Sequence, residues 1–569
     1  MSSETSSPLY PVVPARRPPL RIGVMLDRLT APAWIADVLS DVKSSAFAEL
    51  AVAIVNGAAE VSAPRKGRIA RLLRGEARLG QFLYYRYAAL DQKKHPQFFA
   101  PFVEQDVSGF FRADQVLAVR AQRKKYVNHV TADDVAKIEA LDLDVILRFG
   151  FNILRGDILT CARFGVWSYH HGDNDEYRGG PAHFWEVHER NPVSGAILQI
   201  LTEELDGGKV IYRSYGATMN MLWPSQNKAS TYRKASSFVI RCLRRLYLEN
   251  SIPIEPPRPK YARRLYREPT NTEMVPLLAR IAIAGVANRV RDKLRRDQWF
   301  IAYRKSDRSG SAIPGADGFT PIMPPGDRFF ADPCVIAQDG AHFIFFEDYD
   351  FGRGKGKISF VRVDAEGQVS PPAPALELDV HLSYPFVFRW NGEIFMVPEM
   401  MQRNAVQLFR ALEFPTRWQL VGDLLTGVAA VDATLFEHEG LWFMFANVSE
   451  RGGSTWDELF LFVADRPTGP WRPHPRNPVK SDARSARPAG NIFRRNGKLI
   501  RPSQDCTGTY GRAIVFSEIL ELSPDNYAEQ VLGRIEPTWA AGIIGTHTFS
   551  TDGTLDVIDA KRSVPIWRG

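Results

Sequence analysis

The segment WNGEIFMVPEM, residues 390–400, places an Asn-Gly pair directly before a run of strand-forming residues. The same arrangement recurs in QDGAHFIFFED from Gln338, HEGLWFMFANV from His438, RNGKLIRPSQD from Arg495 and TDGTLDVIDAK from Thr551. Because Asn, Asp and Gly tolerate positive φ, such pairs connect the strands of β-hairpins. These units are spaced about 50 residues apart, and each has room for several strands. The repeat predicts a five-bladed β-propeller.

The first half of the chain alternates strand and helix patterns instead. LRIGVML from Leu20 has the pattern of a strand, PAWIADVLSDVKSS that of a helix, and FAELAVAIVN that of a second strand. VTADDVAKIEALDLDVILRFG continues the alternation, with Thr131 as a helix cap. This order predicts a Rossmann-like α/β domain with a parallel sheet. No Gly-x-Gly-x-x-Gly follows the first strand, so a dinucleotide site is not indicated.

The length of 569 residues predicts several domains. We expect a flexible Ser/Pro-rich N-terminus over residues 1–19, an α/β domain over 20–250, a basic linker and helix over 251–298, and the propeller over 299–569. Two interpretations of the linker helix stay open. It either packs on a neighbouring element as a connector, or it lies on a membrane surface as a basic amphipathic helix.

Charge and cysteine content narrow the function classes. The formal net charge of +8 is small against 72 basic and 64 acidic residues, so nucleic acid is not expected as a partner. Four scattered cysteines indicate reduced thiols, and the N-terminus lacks the pattern of a signal peptide. We therefore expect a cytoplasmic protein, with peripheral membrane contact only through the linker helix. The oligomeric state stays open.

The polar segment GVWSYHHGDNDEYRGGP, residues 165–181, follows the apolar run DLDVILRFGFNIL of residues 142–154. Polar loops after apolar strands are where α/β proteins tend to keep their chemistry. Two readings of Arg178 stay open: its guanidinium grips a carboxylate or phosphate, or it pins the loop. Asp173, Asn174 and Asp175 are either functional or only turn formers.

Residues 20–215 resemble the 10-formyltetrahydrofolate-dependent formyltransferases that act on methionyl-tRNA, glycinamide ribonucleotide and amino sugars. GVWSYHH stands where that family has a strand ending in Asn-x-His, and Arg178-Gly179 matches its Arg-Gly segment. A helix, a strand and the loop Asp206-Gly207-Gly208 follow in the family's order. The resemblance implies a formyltransferase fold and transfer of a formyl group to an amine.

The same resemblance assigns the site residues. His170 and Asp206 are implied as the catalytic pair, and Phe149, Gly150, Ile153 and Arg178 as neighbours of the folate. Ser168 stands where the family has an asparagine that donates to the oxyanion. Either Ser168 takes over that role, or Asn174 or His171 reaches in, or the chemistry is altered or lost.

The second half resembles the five-bladed propellers of arabinanases and β-xylosidases, and more closely the N-terminal propeller of plant glucosamine inositolphosphorylceramide transferases. FADPCVI, YPFVFRWNGEIFMVPE, VDATLFEHEGLWFMF and GTHTFS are among the segments that carry this resemblance. Innermost strands of a propeller converge on a central channel. We expect one funnel to be lined by Asp332, Glu399, Asp432, Arg487, Asp505 and His547.

The chemistry of this funnel stays open between glycoside cleavage or transfer, sugar binding, and an architectural role. The hydrolases have the order Asp, Asp, Glu, whereas the order here is Asp, Glu, Asp. No metal ligands are assigned, although the resemblance at His547 brings in calcium as a candidate ion.

Together the two halves predict N-formylation of an amino sugar that is free, nucleotide-linked or part of a glycolipid. The alternative is a propeller-centred glycosidase, glycosyltransferase or sugar-binding protein with a catalytically silent formyltransferase-like domain.

Overall fold

The protein is described here by a computed structural model that covers residues 8–57, 79–124, 127–256, 258–259, 261–306 and 310–566. It forms two compact units. We call residues 13–282 the α/β unit, and residues 283–450 with 454–566 the propeller unit. Of the N-terminus predicted to be flexible, residues 1–7 lie outside the described residues. Arg16 and Arg17 are anchored, because their backbone N–H groups each donate to the Tyr247 hydroxyl at 3.1 Å.

The α/β unit is built around one seven-stranded sheet. Its strands are β1 (Leu20–Leu26), β2 (Ala48–Asn56), β3 (Val116–Val119), β4 (Val145–Arg148), β5 (Val166–His170), β6 (Val193–Ile200) and β7 (Lys209–Ala217). The helices of this unit are α1 (Ala33–Ser44), α2 (Phe82–Lys94), α3 (Ala132–Glu139), α4 (Phe184–Glu189), α5 (Pro224–Glu249) and the start of α6 (Asn271–Leu294). Short strands pair outside the main sheet at Thr30–Pro32 with Glu104–Asp106, and at Ala121–Lys124, Val127–Val130 and Ile153–Arg155.

The strand order is β7-β6-β5-β4-β1-β2-β3. Strands β1 to β5 pair in parallel, whereas β6 and β7 are antiparallel additions at one edge. The central strand β1 is apolar along its length because it is covered on both faces. Ile22 and Val24 enter one core with α1 and α5, and Met25 enters the core on the other face. The side chain of Thr131 caps α3, as its sequence predicts.

Of the segment predicted as a linker, residues 251–282 belong to the α/β unit and residues 283–298 to the propeller unit. Met274 and Leu277 of α6 are fully buried with Trp185 and Tyr266. The carbonyl of Tyr266 accepts from the amide of Gly180 at 3.2 Å. The segment before the helix therefore supports the polar loop. Among the helices of the described residues, none is long and apolar enough to cross a membrane.

The propeller unit consists of five antiparallel sheets, which we number as blades one to five. Blade one contains Arg328–Gln338, Ala341–Asp350, Lys355–Val363 and Ala373–Leu376. Blade two contains Ser383–Trp390, Glu393–Glu399, Ala405–Glu413 and Arg417–Thr426. Blade three contains Ala430–His438, Leu441–Val448, Glu458–Ala464, Arg472–Pro473 and Lys480–Ser481. Blade four contains Phe493–Arg495, Lys498–Asp505, Ala513–Leu522 and Tyr527–Ile535.

Blade five closes the ring, because it combines the two ends of this unit. Arg295–Lys305 pairs antiparallel with Leu555–Pro565, and Thr320–Ile322, Ile543–Gly545 and Phe549–Thr551 complete the sheet. Four of the five predicted hairpin turns have positive φ at both turn residues, whereas at Asp552-Gly553 only the glycine does. Both residues have positive φ at Asp339-Gly340, Asn391-Gly392, Glu439-Gly440 and Asn496-Gly497. This is the geometry that a two-residue type I′ turn requires.

Candidate functional site

The polar loop of residues 171–183 begins at the carboxyl end of β5. β5 runs parallel to β4, and the register pairs Ser168 of β5 with Arg148, the last residue of β4. Ligands of open α/β sheets bind outside the carboxyl ends of the strands. The candidate site of the α/β unit therefore lies at the ends of β4 and β5.

His170 and Asp206, which the sequence pairs, lie close together at this edge. Nδ1 of the buried His170 is 3.6 Å from Oδ1 of Asp206. Its Nε2 is 2.7 Å from the carbonyl oxygen of Tyr177, which can only accept, so Nε2 carries a hydrogen. The other carboxylate oxygen of Asp206 accepts from the Gly179 amide at 2.9 Å. Nδ1 of His170 and Oδ1 of Asp206 thus face each other and can take a proton between them.

Ser168 is engaged with Arg148, which the sequence analysis did not single out. The Ser168 hydroxyl oxygen accepts from Arg148 Nε at 3.1 Å and from Nη2 at 2.7 Å. The hydroxyl also donates to the Tyr169 carbonyl at 3.3 Å. Arg148 Nη1 donates to the carbonyl of Asn152. Burial lowers the pKa of Arg148, against the opposing charges of Asp206 and Asp27.

A cleft of about 270 Å³ opens beside these residues. It is lined by Arg148, Asn152, Ile153, Leu154, Gln199, Leu201, Thr202, Glu203, Glu204, Leu205 and Asp206. Of the predicted folate neighbours, Ile153 lies in this lining, whereas Phe149 and Gly150 do not. Phe149 packs against Trp34, with 5.6 Å between ring centroids. Gly150 lies so near the backbone of Asp27 that a Cβ there would be 2.5 Å from the Asp27 nitrogen.

Arg178 holds the loop together. Its Nε donates to the Asn174 carbonyl at 2.9 Å, Nη1 pairs with Glu204, and the guanidinium lies 4.5 Å from the ring centroid of Tyr261. These contacts correspond to the loop-pinning interpretation of Arg178. Asp173 is likewise structural, since it accepts from the Asp175 amide at 3.1 Å and pairs with Arg213.

His171 and Asn174 are directed elsewhere than the cleft. The His171 ring stacks on Tyr232, with 3.5 Å between centroids, and both ring nitrogens lack a hydrogen-bond partner among the described residues. Burial, together with nearby positive groups, lowers the pKa of His171 well below its usual value, so the ring is neutral. The amide nitrogen of Asn174 donates to the Asp206 carbonyl at 3.2 Å.

In the propeller unit, a repeated bulge marks the innermost strands of blades one to three. The pairing register skips after Ala331, Ser383 and Val431. The residue that follows each skip has positive φ: Asp332 at 54°, Tyr384 at 40° and Asp432 at 53°. The neighbouring strands place Glu347, Glu399 and Asn447 opposite the same three skips. Backbone strain in non-glycine residues clusters at functional sites, and here it recurs by blade.

Asp432, Arg487 and Glu399 form one buried ionic group. Arg487 Nε is 2.5 Å from Asp432 Oδ2, its Nη2 is 3.1 Å from Oδ1, and Glu399 lies 3.6 Å from the same guanidinium. Gln504 donates to Asp432 at 3.1 Å. Burial and the charge of Asp432 raise the pKa of Glu399 well above its usual value. The raised pKa favours the protonated form of Glu399, beside a carboxylate that is paired with Arg487.

Asp332, His547 and Asp559 form the neighbouring group. His547 Nδ1 lies 2.6 Å from Asp559, and Nε2 lies 3.3 Å from Asp332. Burial raises the pKa of Asp332 to about 6, and the charge of Asp432 contributes in the same direction. Although burial opposes it, the charges of Asp559 and Asp332 raise the pKa of His547. The raised pKa favours the imidazolium form of His547, whose ring lies between the carboxyl groups of Asp559 and Asp332.

This trio does not suit the calcium ion considered from the sequence. Its ligand atoms lie within 4.8 Å of one another. Calcium, however, takes roughly six to eight oxygen ligands. Here the His547 ring lies between the two carboxyl groups, with Nδ1 next to Asp559 and Nε2 next to Asp332. We derive no step that uses calcium.

Asp505 does not join this central group. It accepts from Thr507 at 2.6 Å, and pairs with Arg512 at 3.0 Å and Arg534 at 3.2 Å within its own blade. Beside Asp332, Tyr384 and Thr548 a cavity of about 10 Å³ remains, which is room for one water molecule. A sugar ring would therefore contact the rim of this centre.

Comparison with known proteins gives matches for the propeller unit. The family described as "Glucosamine inositolphosphorylceramide transferase 1, N-terminal" matches residues 322–537. Glucosamine inositolphosphorylceramide transferase 1 of Oryza sativa subsp. japonica is 35% identical over 234 residues, which are 40% of this chain and 31% of the relative. The Arabidopsis thaliana protein of that name is 36% identical over 206 residues, or 36% of this chain and 27% of the relative. The matched segments thus span less than a third of these relatives, and the predicted resemblance is confirmed for this region.

Solved structures give likenesses of low TM-score. Zg3597, a family 117 glycoside hydrolase of Zobellia galactanivorans, has a TM-score of 0.31 at 14% identity, covering 46% of this chain and 90% of that one. Glycinamide ribonucleotide transformylase 1 from Symbiobacterium toebii has a TM-score of 0.27 at 14% identity, covering 41% of this chain and 89% of that one.

Proposed function

We propose that the α/β unit transfers a formyl group from 10-formyltetrahydrofolate to the amino group of an amino sugar, and that the propeller unit binds a sugar or glycolipid. The observation that carries the first part is the facing pair of His170 Nδ1 and Asp206 Oδ1, 3.6 Å apart beside the cleft. An attacking amine must lose a proton during the reaction, and this pair can accept it.

The lining of the cleft offers contacts that suit the ring of the folate. About 270 Å³ is close to the lower end of small-molecule pockets. Ile153, Leu154, Leu201 and Leu205 offer apolar contact for a flat ring, and Gln199 and Thr202 offer polar contact. When bound, 10-formyltetrahydrofolate would supply the formyl carbon.

The proposed reaction forms one C–N bond and breaks another. The amine nitrogen shares its lone pair with the formyl carbon, the new C–N bond forms, and the carbonyl π electrons move to oxygen. On transfer, the bond from the formyl carbon to N10 of the bound folate would break, and N10 would keep that electron pair. His170 and Asp206 receive the proton that the amine loses and return a proton to N10. The products are a formamide and tetrahydrofolate.

The proposed acceptor is supported by the relatives of the propeller unit, whose printed name contains glucosamine, an amino sugar. The propeller also presents Tyr510 beside Arg487, with 4.9 Å from the guanidinium to the ring centroid. An aromatic face next to charged groups is the surface to which a sugar can bind by stacking and hydrogen bonding.

The test uses the full chain with isotopically labelled 10-formyltetrahydrofolate and a panel of free, nucleotide-linked and lipid-linked amino sugars. Mass spectrometry detects the formyl group on the acceptor. His170→Ala and Asp206→Asn should each lower turnover by about 10² or more, because proton transfer contributes that much. Asp133→Asn, an exposed aspartate of α3, is the matched control. Absence of both transfer and folate-analogue binding in the unaltered chain would refute the proposal.

A second candidate function is glycosyl-type chemistry in the propeller unit. The raised pKa of Glu399 favours it, because a neutral carboxylic acid can protonate a leaving sugar oxygen. Glu399→Gln should then abolish glycoside turnover while sugar binding persists. Loss of binding alone would instead indicate a purely lectin-like site.

A further inference from the structure

The sequence offers Ser168, Asn174 and His171 as donors to the oxyanion, and each of them is engaged elsewhere in the structure. The Ser168 hydroxyl has its hydrogen on the Tyr169 carbonyl and its oxygen on Arg148. The Asn174 amide nitrogen donates to the carbonyl of Asp206. His171 is enclosed by aromatic rings, with its ring stacked on Tyr232. A transfer reaction at this cleft therefore needs another donor for the developing negative charge.

Arg148, unlike these three residues, lines the cleft itself and has N–H groups to spare. A guanidinium carries five N–H groups in a fixed plane. Within the described residues, Nε and Nη2 donate to Ser168, and Nη1 donates to the Asn152 carbonyl. One N–H on Nη1 and one on Nη2 are not used by these bonds. The residue also lines the cleft together with Asp206.

We infer that Arg148 is the oxyanion-stabilising catalytic residue of this cleft, and that Ser168 is a positioning residue that acts through it. The inference rests on the proposed formyl transfer. As the amine attacks and the carbonyl electrons move to oxygen, the two remaining N–H groups donate to that oxygen. Hydrogen bonds from an ionised donor are about twice as strong as neutral ones, and they strengthen as negative charge develops.

The pairing also explains why a serine suits position 168. Its hydroxyl oxygen receives both Nε–H and Nη2–H of Arg148, which fixes the plane of the guanidinium. An arginine side chain that is not held in this way loses rotamer freedom when it binds the transition state. Ser168 is thus expected to affect turnover only through the orientation of Arg148.

The test compares Arg148→Met and Arg148→Lys with Arg163→Met in the full chain. Arg163 is 60% exposed at the opposite end of β4, so its loss controls for the removal of one positive charge. Arg148→Met should lower kcat by about 10²–10³ while the affinity for a stable folate analogue, measured by calorimetry, is unchanged. Addition of methylguanidine should restore part of the lost turnover, and sodium chloride of equal ionic strength should not. Arg148→Lys keeps a charge and should retain folding and intermediate turnover.

Ser168 is tested by the same two readouts. Ser168→Ala should lower kcat without changing analogue affinity, and Ser168→Thr, which restores the hydroxyl, should recover most of the loss. Methylguanidine should not rescue Ser168→Ala, because its arginine is still present.

Three outcomes would overturn the inference. In the first, Arg148→Met keeps the kcat of the unaltered chain. In the second, it loses affinity for the folate analogue in proportion to its loss of kcat. In the third, methylguanidine does not rescue Arg148→Met, and Arg148→Lys is as slow as Arg148→Met. In each of these the unaltered chain remains active, so formyl transfer itself stands. If the unaltered chain neither transfers formyl groups nor binds the analogue, the proposed function fails and this role fails with it.

Discussion

Replacement of Arg487 by methionine should destabilise the propeller unit by about 3–5 kcal/mol, because it leaves the Asp432 carboxylate buried and unpaired. The side chains of Arg487 and Asp432 are only 8% and 2% exposed. Water therefore cannot replace the guanidinium without opening the centre of the blades. Gln504 supplies one remaining hydrogen bond to Asp432, which is neutral and cannot balance the charge.

The measurement is the unfolding midpoint of the propeller unit in the full chain, followed by calorimetry and assigned by hydrogen exchange of its strands. Each kcal/mol shifts the midpoint of a unit of this size by roughly 2–4 °C, so a fall on the order of 10 °C is expected. Arg494→Met is the matched control, since Arg494 is exposed in blade four.

A double variant separates an unpaired charge from simple loss of packing. Asp432→Asn combined with Arg487→Met leaves no charge at either position, and asparagine tolerates the φ of 53° at position 432. The double variant should therefore be more stable than Arg487→Met alone. The reasoning is wrong if the double variant loses as much stability as the two single variants together. It is also wrong if Arg487→Met has the same unfolding midpoint as the Arg494→Met control.

Two further predictions concern the supports of these sites. Gly179→Ala should destabilise the α/β unit and lower formyl transfer, because φ at Gly179 is 94° and a Cβ would lie 2.2 Å from the Tyr266 carbonyl oxygen. Gly180→Ala is the control, since its Cβ would lie 3.8 Å from the nearest atom. This control should change neither the unfolding midpoint nor turnover. In blade four, the charges of Arg501 and Lys480, opposed by burial, lower the pKa of Glu529 from 4.5 to about 2. Because a lowered pKa stabilises the folded state only while the carboxylate is ionised, this stabilisation is present above pH 4.5 and is lost as the pH falls towards 2. Glu529→Gln should therefore flatten the acid-induced loss of stability in that window, and an unchanged acid profile would contradict the assignment.

The propeller could be predicted because residue pairs that form hairpin turns recur along the second half of the sequence. Asn-Gly and Asp-Gly pairs tolerate the positive φ that a two-residue hairpin turn requires, so the hairpins could be predicted from the sequence. The pairing of His170 with Asp206 was expected from the resemblance to the formyltransferases, which have a strand end and a loop in this order. The separation of 3.6 Å between these two residues depends on the loop path and could not be read from spacing.

The central group of the propeller shows where pattern reasoning fails. Tyr384 was missed because the first-strand repeat reads ADP, SYP and VDA, so its middle residue changes chemistry while the backbone bulge persists. Asp505 was placed in the funnel, yet its neighbour Gln504 is the residue that reaches Asp432. Successive side chains of a strand point to opposite faces, so an error of one residue moves a side chain from the channel to the blade interior.

Arg487 and Arg148 differ in the partners to which their guanidinium N–H groups donate hydrogen bonds. Arg487 gives Nε and Nη2 to Asp432, and its Nη1 lies 3.4 Å from the Thr455 carbonyl. It therefore serves the fold and pairs with Asp432, and burial favours the protonated form of Glu399 in that centre. Arg148 instead donates its hydrogen bonds to the uncharged Ser168 hydroxyl and to the Asn152 carbonyl, so no directly bonded carboxylate neutralises its positive charge. A held guanidinium beside a cleft suits a charge that exists only during reaction, whereas a guanidinium closed on a carboxylate suits a permanent one. For this reason we propose transfer chemistry at Arg148 and sugar recognition at the propeller unit.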